Sequence, residues 1–72
     1  MMRGQRFKIN QALDAIDPVE KGAHILHIPK GSVVTIVAGP VDNDRLIDIS
    51  WDGHVLMIFM RDLLERAERI AD

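Results

Sequence analysis

Six consecutive apolar residues, Val55 to Met60 (VLMIFM), stand just beyond the pair Asp52-Gly53. Asp-Gly is the strongest short signal for a two-residue hairpin turn. Before it, Leu46 to Trp51 alternates, with Ile47, Ile49 and Trp51 on one face and Leu46, Asp48 and Ser50 on the other. The chain therefore folds back on itself as an antiparallel hairpin, and its second strand is apolar on both faces. An antiparallel strand in a single layer normally turns one face to the core and a polar face to water. A second apolar face needs a cover, either the C-terminal segment or another chain. The covered set is either Leu56, Ile58 and Met60 or Val55, Met57 and Phe59. Met57 and Met60 are flexible enough to suit a contact surface as well as a core gap. Leu56, Met57, Ile58 and Met60 are the expected interface residues.

Length sharpens that demand. Seventy-two residues make one small domain, too short for a doubly wound sheet or an eight-stranded α/β barrel. The composition, 47% apolar and 28% charged, is that of a folded chain. A chain of this size buries only about 60% of the surface it exposes when unfolded, so its core is thin. It has no cysteine, hence no disulfide and no thiolate metal site, which fits a reducing cytoplasm. Self-association is the remaining support. The net charge of −2 disfavours a nucleic-acid ligand. Arg3, Arg6 and Lys8 form the only basic cluster, near an N-terminal arm (residues 1–5) expected to be loose and solvated. No run of 18 apolar residues marks a membrane span, and the N-terminus lacks the apolar stretch of a signal peptide.

Residues 6–72 read as a single domain. Phe7 and Ile9 alternate with Arg6 and Lys8, as in a first strand. Asn10 to Asp17 suits either a short helix or an extended arm, and Asp17-Pro18 breaks a helix. Val19 to Gly22 is a loop tip, His24 to Ile28 a short apolar stretch, and Lys30-Gly31 a turn. Val33 to Ala38 (VVTIVA) is rich in β-branched residues and reads as a strand. Gly39-Pro40 stops it, and Asp42-Asn43-Asp44 is turn chemistry. The tail has two readings. Met60, Leu63, Leu64, Ala67, Ile70 and Ala71 recur at helical spacing, with favourable pairs Asp62–Arg66 and Glu65–Arg69. The rival is one helical turn at Asp62 to Glu65 followed by a strand at Arg66 to Ile70.

This order of elements resembles an SH3-like small β-barrel. Lys30-Gly31-Ser32-Val33-Val34 sits where such barrels carry a Lys-Gly-Asp-like turn into the second strand. Arg61-Asp62-Leu63-Leu64-Glu65-Arg66 sits where they carry a helical turn before the last strand. The resemblance implies a mainly β fold, a five-stranded antiparallel barrel with a short C-terminal helical turn or helix, and it favours the turn-plus-strand reading of the tail. Leu56-Met57-Ile58-Phe59 and Leu64-Glu65-Arg66 are also similar to segments of the type II plasmid dihydrofolate reductases, small barrels assembled around a shared pore. Met57 stands in place of the amide that such a pore uses, and Phe59 in place of its tyrosine, so no catalytic role carries over. The chain further resembles the short orphan proteins of bacterial mobile gene cassettes.

Candidate chemistry is sparse. His24 and His27 form an H-x-x-H pair whose side chains converge only on a helix. Asp42, Asp44, Asp48 and Asp52 match no calcium-loop spacing. Ser50 and His54 with an aspartate outline a triad across one hairpin, a common chance pattern. Gly31, Gly39 and Gly53 stand alone, so no phosphate-cradling loop is present. Trp51, Phe7 and Phe59 are the only aromatics, too few to fill a core and line a proline-rich peptide groove or stack bases. The sequence thus points to a non-enzymatic, cytoplasmic, homo-oligomeric binding or regulatory module without cofactor or metal. The alternatives are a pore-type enzyme with its site on an oligomer axis, and a nucleic-acid-binding barrel.

Overall fold

A computed structural model describes residues 3–19, 22–39 and 45–71. Among them the elements are β1 (Arg6–Ile9), β2 (Leu13–Val19), β3 (Gly22–Ile28), β4 (Val33–Ala38), β5 (Leu46–Trp51), β6 (His54–Phe59), α1 (Met60–Arg66) and β7 (Ala67–Ile70). The strands form one antiparallel sheet in the order β3-β2-β6-β5-β4-β1-β7. The fold is mainly β, as the residue pattern implies. It has seven strands where five were expected, and its outermost strands, β3 and β7, are not paired to each other.

Of the two additional strands, β2 comes from the segment read as helix or arm, and β3 from the short apolar stretch after the expected loop tip, whose end residues Val19 and Gly22 are themselves paired. Leu13–Val19 pairs with Gly22–Ile28 in unbroken register from Leu13↔Ile28 to Val19↔Gly22. The extended conformation that Pro18 imposes on Asp17 is the one a strand requires. Ile16 then ties this arm to β6 by pairing with Met57.

The centre is the expected meander. Asp52 and Gly53 have φ of 49° and 79°, the positive values of a primed hairpin turn. They set the register Trp51↔His54, Ile49↔Leu56 and Ile47↔Ile58. The β4–β5 register slips at Val37, a bulge between the pairs Ile36↔Ile49 and Ala38↔Asp48. Such a bulge bends a strand and raises its twist. At its far end, Gly39 takes φ 87°, a backbone shape that glycine accepts without strain.

Bending lets one sheet enclose one core. Phe7, Ile9, Leu13, Ala15, Ile28, Val34, Ile36, Ile47, Ile49, Leu56, Ile58 and Leu63 form a single buried cluster drawn from β1 to β6 and α1. A flat seven-stranded layer could not bring Ile28 of one outer strand into the same cluster as Phe7 at the other side. Trp51, on the same face as Ile47 and Ile49, is half-buried and packs against this cluster.

The tail is a seven-residue helix, about two turns where one was expected, followed by a strand. Leu63 is the buried residue of α1, and Met60 packs against the core. Helical periodicity continues past Arg66, yet Ala67–Ile70 pairs with β1 from Ile9↔Ala67 to Arg6↔Ile70. The helix end is held from outside. Asn10 and Gln11 donate their N–H groups to the Arg66 carbonyl at 2.7 and 3.1 Å, and the Arg66 guanidinium donates to the Ala12 carbonyl at 2.9 Å. The N-terminal arm, expected to be loose, is tied down at its inner end. Gly4 N–H donates to the Ile36 carbonyl, and Ile36 N–H to the Gln5 carbonyl, both at 2.8 Å.

Candidate functional site

The pairing of β6 decides which of its faces looks inward. Leu56 opposite Ile49 and Ile58 opposite Ile47 are 0% and 1% exposed, inside the chain's own core. They do not face a partner in this fold. Val55, Met57 and Phe59 point to the outer surface, Val55 at 56% and Phe59 at 47% exposure, with Met57 half-buried. Met60, the fourth expected interface residue, opens α1 and is half-buried against the core. The C-terminal segment therefore supports the inner face of the sheet through Leu63 and Met60 and leaves Val55 and Phe59 open.

Cross-strand neighbours extend this outer face. Phe59 stands opposite Leu46, Met57 opposite Ile16, and Ile16 opposite Ile25. Directly paired residues share a face. An apolar band thus crosses the sheet from Leu46 on β5, over β6 and β2, to Ile25 on β3, which is 56% exposed. Asp48 and Ser50, opposite Met57 and Val55, border it on β5. On β2 and β3 the border is the outward pair Asp14 and His27, in contact through the Asp14 carboxylate and His27 Nδ1. The band was not visible as a unit in the sequence, because Ile16 and Ile25 join it only through the hairpin register.

The sequence candidates for chemistry are separated rather than assembled. His24 and His27 lie on a strand, on opposite faces, each directly across from an aspartate: Asp17 for His24 and Asp14 for His27. Ser50 shares a face with Val55, whereas His54 shares one with Trp51, so no Ser-His dyad forms. Among the described residues there is no cluster of three metal-ligating side chains, no cavity, and no fully buried polar or charged side chain. Asp42 and Asp44 lie outside the described residues. No described helix is long and apolar enough to cross a membrane. Comparison with family models, with curated proteins and with solved structures finds no significant match.

Proposed function

We propose that the chain is a non-enzymatic, homo-oligomeric small β domain that serves as a binding or regulatory module, with an SH3-like barrel as its frame. The observation that carries this reading is the open outer face of β6, with Val55 and Phe59 about half exposed beside Met57, Ile16 and Ile25. Contiguous apolar surface on a small protein marks a contact surface. The band offers no hydrogen-bonding side chain of its own, so it fits an apolar protein surface better than a polar substrate or a phosphate backbone. Met57, at the centre, brings no amide to a pore axis.

The frame is supported by strand order. With the β2–β3 arm set aside, the sheet reads β6-β5-β4-β1-β7, a three-stranded meander flanked by the first and last strands. A helical turn leads into the last strand, as the resemblance implies. A cytoplasmic setting agrees with the absence of cysteine. A bacterial gene-cassette origin rests on the resemblance alone.

The test is native mass spectrometry of the protein and of its Phe59→Asp variant. The expected result is a multimer for the parent and a folded assembly of lower mass for the variant, because one aspartate per protomer puts charge into a dry contact. An unassociated parent removes the oligomeric part of the proposal. A variant whose mass is unchanged removes this face as the contact.

A further inference from the structure

The two ends of the sheet differ in kind. β7 has four residues and carries Glu68 and Arg69, the short, charged edge that blocks strand addition. β3 has seven residues (GAHILHI), no carboxylate, lysine or arginine, and pairs only with β2 among the described residues. A long edge of this composition is a template for another strand.

We propose that β3 pairs edge to edge with β3 of a second copy, antiparallel and centred on Ile25. Inner and outer faces run on across such a contact only when the positions of paired residues sum to an even number, so a residue must sit on the two-fold axis. Ile25 is the midpoint of Gly22–Ile28, and centring there alone pairs all seven residues. Gly22 then faces Ile28 of the second copy, Ala23 faces its His27, and His24 faces its Leu26. No histidine faces a histidine, as happens when the axis passes through His24 or His27. On the outer face Ile25, 56% exposed, meets itself, and the apolar band continues from one copy into the next.

Area points the same way. A standard interface takes about 800 Å² from each partner. Two half-exposed side chains on β6 with their half-buried neighbours supply only part of that. A seven-residue edge adds backbone hydrogen bonds and the Ile25 contact. The inference rests on the homo-oligomer reading and assigns it a second surface, distinct from Val55, Met57 and Phe59.

Because the chain has no cysteine, single-cysteine variants report the axis cleanly. Ile25→Cys, His27→Cys and Glu68→Cys are each oxidised with copper phenanthroline and run on non-reducing gels, beside sedimentation of the unoxidised proteins. Directly opposed positions bring their Cβ atoms to about 5 Å, close enough for a disulfide after small adjustment. Ile25→Cys should convert to a covalent dimer. His27→Cys, about 13 Å from its own copy by strand rise, and Glu68→Cys should remain single chains. Equal cross-linking of Ile25→Cys and His27→Cys overturns the register. An associated protein whose Ile25→Cys variant does not cross-link overturns the edge contact while leaving the homo-oligomer standing. An unassociated parent overturns both. Ile25→Lys, a change at an exposed position, should lower the associated mass by a factor of two while leaving the circular dichroism of the fold intact. Unchanged mass in that variant also counts against the edge.

Discussion

Adjacent residues of β6 should respond to substitution in opposite ways, and Ile58 with Phe59 is the pair that shows it. Ile58 is buried against Ile47 in the core, and Phe59 faces outward beside Leu46. Removing one methylene by Ile58→Val should cost about 0.5–1.5 kcal/mol, and Ile58→Ala about 2–5 kcal/mol, because the surrounding strands collapse only partly into the space. A domain of this length holds roughly 4–11 kcal/mol of stability in all. Each kcal/mol moves the melting midpoint by about 4–8 °C at this size. Ile58→Val should therefore lower Tm by about 5 °C, and Ile58→Ala by at least about 10 °C. Ile58→Asp places a carboxylate in the core without a partner and should abolish the cooperative transition. Phe59→Asp should retain the transition but make its midpoint less dependent on protein concentration, because the lost contact no longer adds stability by mass action. Thermal melts followed by circular dichroism at several concentrations read all four. A cooperative, unshifted melt for Ile58→Asp would refute the placement of β6. So would loss of the fold in Phe59→Asp.

The turns and ties carry further expectations. Gly39→Ala should destabilise by about 1–2 kcal/mol in urea melts, since its φ is 87° and a Cβ there comes to 3.4 Å from the Leu46 carbonyl. Gly53→Ala should cost about 1 kcal/mol, while Asp52→Gly should be nearly neutral, because both positions of the hairpin turn need positive φ. Arg66→Ala should cost about 1 kcal/mol and speed hydrogen exchange at Asn10 and Gln11, whose N–H groups bond the carbonyl of the same residue. Asp14→Asn should change stability by less than about 1 kcal/mol, since the His27 contact it weakens is solvent-exposed.

What could be read in the sequence was what local chemistry decides. The β5–β6 hairpin follows from Asp52-Gly53 and the alternation on either side, and β4 from its β-branched run. The β2–β3 arm could not be fixed, because Ala12, Leu13, Ala15 and Ile16 have a spacing that suits helix and strand alike. Partnership with Gly22–Ile28 settles it, and partnership is not local. The tail shows the same competition. Periodicity carries a helix to Ala71, but four pairs with β1 take Ala67–Ile70 for the sheet, leaving the helix only Met60–Arg66. The orientation of β6 was beyond the sequence for a different reason. With six apolar residues in a row, either face satisfies the core, and only the register with Ile47 and Ile49 selects Leu56 and Ile58. The outer band required two registers at once, β2 with β3 and β2 with β6. The cross-strand Asp14–His27 and Asp17–His24 pairs needed only the first. Their positions have equal sums, so the hairpin that pairs one pairs the other.

The central claim is that this sheet encloses one core and leaves an apolar outer surface for another copy of the chain. Sedimentation equilibrium over a range of micromolar concentrations tests it most directly. The account predicts a mass that is a multiple of 8.1 kDa, falls toward a single chain on dilution, and is lowered by Phe59→Asp substitution. A folded protein that sediments at 8.1 kDa throughout that range contradicts it.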